Sequence, residues 1–214
     1  MKIDFHVHTY ASRDGIITYE KIAKISKEKG IVPAITDHNT IKAHKPLRKL
    51  GLEFIPGEEI TTDRGDLIGL FINEEIPRKT EFFEAIDLIK EQGGISLAPH
   101  MYDFTRSAIG EIAQHADLIE ALNARCLQEH NEKAKEFAKE KKKIGVAGSD
   151  THYEFEFGKV WNEVDLDELE PKKLMRALKK VRLYGTPHNP ILVRGSANFI
   201  KLFKCFGLWA PKDF

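Results

Sequence analysis

Short runs of Ile, Val and Leu recur along this chain, and nearly every one is followed at once by histidine, aspartate or glutamate. The run Ile3 to Val7 leads into His6-Val7-His8, Ile31 to Ile35 into Asp37-His38, and Phe54-Ile55 into Glu58-Glu59. Ile95 to Ala98 leads into Pro99-His100, Leu118 to Leu122 into Asn123 and Arg125, and Ile144 to Ala147 into Asp150-Thr151-His152. Runs of this length and make-up read as strands buried on both faces.

Segments of helical period lie between them. Thr18 is placed to cap one with Tyr19, Ile22, Ala23 and Ile25 on one face and Gly30 at its end. Thr80 is placed to cap a second, with Phe82, Phe83, Ile86 and Ile89 as its stripe and Gly93 as its stop. A third carries Leu127, Ala134, Phe137 and Ala138 and closes in the cationic run Lys139 to Lys143, which reads as a solvated helix end. Pro171 opens a fourth, with Leu174, Ala177, Leu178 and Val181. Alternation of this kind implies an α/β fold with a mainly parallel sheet, closed into a barrel or open and doubly wound. Asp63-Arg64-Gly65-Asp66 reads as a turn into Leu67 to Ile72, so one hairpin interrupts the pattern.

In parallel barrels and open sheets alike, active sites form outside the carboxyl ends of the strands. Folding would therefore bring residues scattered over about 150 positions to one rim, including five of the nine histidines. On a strand, residues i and i+2 point the same way, so His6 and His8 can grip one ion together, as can Asp150 and His152 if the strand extends that far. Glu59, flanked by Ile60-Thr61-Thr62, is the candidate to bridge two ions. Two ions about 3.5–4 Å apart can activate a water and clamp a phosphate oxygen together, so no protein nucleophile is needed. None is visible in the sequence, which lacks a G-x-S-x-G elbow. Asp14, in Ser12-Arg13-Asp14-Gly15, is either a ligand or a plain turn residue. Asp4 and Asp37 read as groups that orient a histidine, and His44, His115, His130 and His188 as ordinary surface or helix histidines.

Composition narrows the remaining classes. The 214 residues suit one domain, and Lys plus Arg (33) offset Asp plus Glu (33). A net charge of zero counts against a dedicated nucleic-acid or membrane-surface binder without removing a local patch. Cys126 and Cys205 lie far apart, form no metal spacing, and read as free thiols in a reducing compartment. Met1 leads into a polar motif rather than a signal sequence, and no run approaches membrane-spanning length, so a cytoplasmic location is expected. The domain is expected over residues 1–190. An apolar, aromatic extension over 191–214, with Phe199, Ile200, Leu202, Phe203, Phe206, Leu208 and Trp209, is expected to pack on it, with a partner-docking tail as the alternative.

Six motifs occur in order: Asp-Phe-His-Val-His from Asp4, Thr-Asp-His-Asn from Thr36, Pro-Gly-Glu-Glu-Ile from Pro56, Leu-Ala-Pro-His from Leu97, Ile-Glu-Ala-Leu-Asn from Ile119 and Gly-Ser-Asp-Thr-His from Gly148. Together they resemble the PHP family, the polymerase and histidinol phosphatase superfamily of metal-dependent phosphoesterases. The likeness runs from Asp4 to Asn162, about three quarters of the chain. It implies a distorted (β/α)7 TIM-like barrel with two or three divalent ions (Mn²⁺, Zn²⁺ or Fe²⁺) at the carboxyl rim. Carried over motif by motif, His6, His8, Glu59 and Asp150 resemble the ligands of one ion, Glu59 and His100 those of a second, and Asp14, His38 and His152 those of a third. Asp14 and Asp66 stand where many relatives have histidine, and oxygen in place of imidazole tilts a site toward harder ions such as Mn²⁺. Between Ile72 and Ile95 there is room for one helix only, so the inserted subdomain of nucleotide-phosphatase relatives is absent.

The expected activity is hydrolysis of a phosphomonoester or small phosphodiester by a metal-activated hydroxide, with Glu59, Asp150 and His38 as catalytic residues. Arg125 and Arg13 are the candidates to hold the phosphate of a small phosphorylated substrate, with Arg106 and Lys159 as further basic residues nearby. Two alternatives stand beside it: a nuclease, which zero net charge disfavours, and a non-catalytic scaffold, which the near-complete ligand set disfavours.

Overall fold

The computed structural model describes residues 1–188, so the expected extension over 191–214 and Cys205 lie outside the described residues. The chain runs β1 (Lys2–Val7), α1 (Tyr19–Lys29), β2 (Val32–Ile35), α2 (His44–Lys49), β3 (Ile55–Thr61), β4 (Asp66–Leu70), α3 (Phe82–Glu91), β5 (Ile95–Ala98), β6 (Leu118–Asn123), α4 (Gln128–Glu140), β7 (Ile144–Gly148), β8 (Val160–Glu163), α5 (Pro171–Ala177) and β9 (Arg182–Gly185). A 3-10 segment, Gly110–His115, takes the place of a helix between β5 and β6. Among the described residues no helix is long and apolar enough to cross a membrane.

The strands form one sheet in the order β7-β6-β5-β4-β3-β2-β1-β8-β9. Four pairings are parallel (β1–β2, β2–β3, β5–β6, β6–β7) and four antiparallel (β3–β4, β4–β5, β1–β8, β8–β9), so the sheet is evenly mixed rather than mainly parallel. The reason is local. The Asp63–Gly65 turn sends β4 back along β3, and a second antiparallel pair, β8 and β9, is added beside β1.

The sheet curls into a nearly closed, distorted TIM-like barrel. No ladder joins β1 to β7; one isolated bridge, Val7 to Thr151, spans that seam. His6 O accepts from Asp150 N at 2.7 Å. The Asn162 carboxamide on β8 does the rest. Its Nδ2 donates to Ile3 O (2.9 Å) and Ala147 O (2.7 Å), while its Oδ1 accepts from Ala147 N (2.8 Å). One side chain thus supplies β7 with the donor and acceptor of a missing peptide, which a buried backbone requires.

Ile55, Ile68, Leu70, Ile95, Leu97, Leu118 and Val146 form one buried cluster, which Val164, Leu174 and Leu178 join from the α5 region. On β3, period-two alternation carries the face of Ile55 through Gly57 to Glu59; on the reversed β4 it carries the face of Leu70 and Ile68 to Asp66. The same strand face is therefore apolar at one end of the barrel and acidic at the other. Outside, Phe82, Ala85, Ile86 and Ile89 of α3 and Ala134, Phe137 and Ala138 of α4 pack on Ile60, Leu67 and Ile119.

The helix signals held with small shifts. Thr18 caps α1 by accepting from Lys21 N (3.3 Å), and Gly30 ends it in a left-handed conformation (φ 62°). For α3 the cap is Glu81 rather than Thr80. The Thr80 hydroxyl donates to Pro77 O (2.6 Å), so the Glu81 carboxylate takes Phe83 N (2.8 Å) and Glu84 N (3.0 Å) instead. α5 stops at Ala177, leaving Leu178 in a 3-10 turn and Val181 beyond it. His44 is a helix histidine, as expected, but not a surface one. It is buried in α2, with Nε2 3.0 Å from Gly57 O, and ties that helix to β3.

Candidate metal centre

Five imidazoles (His6, His8, His38, His100 and His152) and four carboxylates (Asp14, Glu59, Asp66 and Asp150) meet at the carboxyl rim of the barrel. Glu59 stands at the centre. Its Oε2 lies 3.3 Å from His6 Nε2, 3.2 Å from His8 Nε2 and 3.0 Å from His38 Nδ1, while its Oε1 lies 3.0 Å from His100 Nε2. The two oxygens face different sets of imidazoles, which is the disposition a bridging carboxylate needs. Asp150 Oδ1 lies 3.9 Å from His6 Nε2 and 3.7 Å from His8 Nε2. Asp14 reaches His38 Nε2 at 3.6 Å and His152 Nε2 at 3.3 Å.

Among the described residues, three sets have ligand atoms all within 4.8 Å of one another: His6, His8 and Asp150; His8, His38 and His152; and Glu59, Asp66 and His100. Asp66 arrives in this company because β4 runs backwards and presents its first residue, not its last, to the rim.

Hydrogen bonds behind the ligands hold the rings in place. His6 Nδ1 lies 3.0 Å from Glu120 Oε1, His8 Nδ1 2.9 Å from Ser12 Oγ, and His152 Nδ1 2.8 Å from Asp150 O. Glu120 also accepts from His100 N (2.8 Å) and Asn123 Nδ2 (2.8 Å). Asp4 and Asp37, expected to orient histidines, act on the main chain: Asp4 accepts from the N–H groups of Ser149 (2.8 Å) and of the ligand His6 (3.4 Å), and Asp37 from that of Thr9 (2.6 Å). Gly148 leaves room for this network, because a Cβ there would collide with Glu120 Oε1 and lie 2.5 Å from His6 Cβ.

Two ligand positions carry left-handed backbone, His100 (φ 27°) and Asp150 (φ 55°), each a strain on the order of 1 kcal/mol. Asp103 N donating to His100 O (2.9 Å) and Asp150 N donating to His6 O (2.7 Å) hold them there. Asp150 and His152 therefore do not share a strand face. β7 ends at Gly148 and a tight turn brings them together.

Charge follows from the packing. Burial alone would raise Glu59 and Asp150. The facing His38 and His6 hold Glu59 well below the usual carboxylate range, and Arg106 with His6 does the same for Asp150. Burial and then the Arg125 cation push His152 down to about 3, so it stays the neutral imidazole that a metal ligand must be. Burial would lower His6, but Asp150, Glu59 and Glu120 together hold it well above the ordinary value.

This donor set fits divalent ions. Stripped of the proton that the surrounding carboxylates favour, His6 Nε2 presents a lone pair 3.0 Å from His8 Nε2 and 3.3 Å from Glu59 Oε2, while Nδ1 faces a carboxylate. Three acceptors so close repel unless a positive charge lies among them. About 3 Å is also the spacing of neighbouring ligand atoms on one ion with bonds of ~2.1 Å. Asp66 Oδ1, Asp150 Oδ1 and His100 Nδ1 are buried without a hydrogen-bond partner. Imidazole and carboxylate without thiolate suit Mn²⁺, Fe²⁺ or Zn²⁺.

The structure places the two expected phosphate-binding arginines differently. Arg13 is exposed in the loop after β1. Arg125 is buried behind the ligands, with Nη1 2.6 Å from His152 Nδ1 and Nε 3.4 Å from Glu156 Oε1. Glu120, Ser12 and Gly148 were not singled out from the sequence. Glu120 did leave a signal there, as a lone charge inside an otherwise apolar strand.

A family model described as PHP-associated matches residues 128–183. The uncharacterized protein MJ0417 of Methanocaldococcus jannaschii is 36% identical over 195 residues, spanning 84% of this chain and 79% of that protein. MJ1587 of the same organism is 42% identical over 141 residues, spanning 58% of this chain and 82% of that protein. Among solved structures, PsfC from Pseudomonas syringae superposes with a TM-score of 0.67 at 14% identity, covering 94% of this chain and 98% of that one. A chain from Bifidobacterium adolescentis, proposed to be a metal-dependent phosphoesterase, gives 0.57 at 16% identity over 83% and 95%. An amidohydrolase from Chromobacterium violaceum, with sulfate bound and no metal, gives 0.57 at 16% identity over 87% and 98%.

Proposed function

Because this chain belongs to the PHP family, we propose that it is a metal-dependent hydrolase of phosphate esters, with a phosphomonoester or small phosphodiester as substrate. The observation that carries this reading is the division of Glu59, one oxygen toward His6, His8 and His38 and the other toward His100. The relative from Bifidobacterium adolescentis, proposed to be a metal-dependent phosphoesterase, supports the same substrate class, while the amidohydrolase from Chromobacterium violaceum supports hydrolysis more broadly.

His6, His8, Glu59 and Asp150 would hold one ion, Glu59, His100 and Asp66 a second, and Asp14, His38 and His152 a third. Bound there, divalent ions supply Lewis acidity toward a phosphoryl oxygen and bring the pKa of water down to about 7. The protein's own part is positioning. Glu59 ties two ligand groups together, Asp150 offers Oδ1 to the cluster, and Glu120, Ser12 and Asp150 O keep the imidazoles in register. Burial, and then the Arg125 cation behind it, keep the His152 ring neutral. His38, with 22% of its side chain exposed, is more accessible than His6, His8, His100 and His152, and a substrate entering from solvent meets it first.

The test is metal analysis of protein purified without chelator, followed by a panel of phosphate esters and single-stranded DNA assayed with Mn²⁺ or Zn²⁺ added back. Phosphate-ester turnover is expected, with both bound metal and turnover lost in His8→Ala. Full turnover by His8→Ala would overturn the mechanism, and cleavage confined to DNA would return the nuclease reading.

A further inference from the structure

Arg106 sits on the loop between β5 and the 3-10 segment, and that loop is pinned at several points. Arg106 N donates to Asp103 O (2.8 Å), Asp66 N to Ser107 O (2.9 Å), and Gly110 N to Met101 O (2.9 Å). Asp103 is itself fully buried and accepts from Thr105 Oγ1 (2.7 Å). On the other side, a Cβ at Gly65 would strike Ser107 and lie 2.7 Å from Ile109 Cγ2, so the loop is pressed against the β3–β4 turn. The guanidinium is thereby held over the rim, where Nη1 pairs with Asp150 Oδ2.

Asp150 divides its carboxylate. Oδ1 faces the imidazoles, at 3.5 Å from His152 Nδ1 and 3.7 Å from His8 Nε2, while Oδ2 takes Asn123 Nδ2 (3.0 Å) and Arg106. Among the described residues Arg106 has Asp150 as its only ion-pair partner, and the Arg106 side chain is 18% exposed, against 4% for Arg125. A guanidinium has five donors in a planar fork, so one nitrogen on Asp150 leaves the outer edge for an oxyanion.

Resting on the phosphoesterase reading of the same pocket, we propose that Arg106 is the residue that grips the substrate phosphate, sharing its guanidinium between that phosphate and Asp150. This sharing has two effects of opposite sign. Toward the substrate, Arg106 adds a charge-assisted, two-pronged contact that strengthens binding. Toward the metal, its cation offsets part of the negative charge Asp150 offers, and so weakens binding. A residue that merely braced the loop would help both.

The experiment compares the full chain with Arg106→Gln and Arg106→Lys in two readouts: Mn²⁺ affinity by competition with a metallochromic dye, and KM for p-nitrophenyl phosphate with inhibition by inorganic phosphate. Arg106→Gln is expected to hold Mn²⁺ at least as tightly as the parent. Its KM should rise about 10- to 100-fold, with phosphate inhibition weakened alongside. Added guanidinium should restore part of the loss and ammonium should not. Arg106→Lys keeps the charge without the fork and should fall between. Joint loss of metal and substrate binding in both variants overturns the proposal, as does an unchanged KM in Arg106→Gln. If the parent binds Mn²⁺ and inorganic phosphate, and Arg106→Gln loses only the phosphate, the Arg106 assignment stands even where no ester is hydrolysed. In that case the phosphoesterase reading alone fails.

Discussion

Glu58 and Glu59 are neighbours on β3, equally buried, and their carboxyl groups are driven in opposite directions. Burial pushes Glu58 up to about 8, while the imidazoles around Glu59 more than reverse the same burial and hold it far down. The contrast extends through the molecule. Just behind the ligands, burial raises Asp4 to about 6 and, despite the nearby Arg125, Glu156 to about 7. Inside the pocket Asp14 and Asp150 are lowered despite it, by His152 and by Arg106 respectively, whereas burial and then the facing Glu59 raise Asp66. Depth is common to all of them; the difference is how strongly cationic groups face each carboxyl. A carboxylate kept ionised in a dry interior is one prepared for a cation.

The sharpest way to break this comparison is to neutralise each glutamate in turn. Glu59→Gln is expected to lose bound metal and at least about 10³-fold in turnover, since it removes the shared ligand of two groups. Glu58→Gln should stay within about twofold of the parent, because its side chain turns away from the pocket and accepts from Ile76 N (2.9 Å). Equal losses in the two variants, by metal analysis and steady-state assay, would dissolve the distinction.

Removing the ions from the intact protein comes next. With metal at about 1,000 times its Kd, chelation should lower stability by about 4 kcal/mol, a drop on the order of 10 °C in Tm by thermal-shift measurement. An unchanged Tm would mean the pocket carboxylates are balanced without metal. Glu120 tests an intermediate position, a buried carboxylate that touches the cluster only through His6 and His100 N. Glu120→Gln should weaken metal binding by about 10- to 100-fold while leaving the fold intact.

The smallest effect is the share of the pH dependence that Glu58 contributes. Its folded-state pKa lies above its ordinary 4.5, so the stability it lends is complete below about 4.5 and is lost as pH rises toward about 8. Urea unfolding at pH 5, 6.5 and 8 should show the parent losing about 1–3 kcal/mol relative to Glu58→Gln across that range. Parallel curves would place Glu58 in water rather than in the core.

Much of this architecture was legible because its signals are local. The strands around Phe5, Ala34, Leu97, Ile119 and Val146 and the helices capped by Thr18 and opened by Pro171 depend on periodicity and end chemistry, which short stretches contain in full. The five imidazoles stood out for the same reason, each at the end of an apolar run. Asp66 was harder to read, because its place at the rim depends on the direction of β4. Asn162 was illegible: nothing near it shows that its carboxamide must complete β7, from a strand fifteen residues away. The arginines illustrate the limit most directly. Arg125 reads from its motif as the leading phosphate candidate, yet it is buried against His152 and Glu156, while the less prominent Arg106 pairs with Asp150 and keeps part of its side chain exposed.

By itself, then, the order of residues determined which side chains are metal-binding types and that strand ends would deliver them, because alternation and hydrophobic runs are properties of neighbours in the chain. The barrel's closure, the grouping of the ligands around Glu59, and the charge state of each carboxyl were decided only in three dimensions. Those depend on which groups face one another across gaps of 3–4 Å, and a cation's effect on a buried acid falls off too steeply with distance for sequence separation to report it.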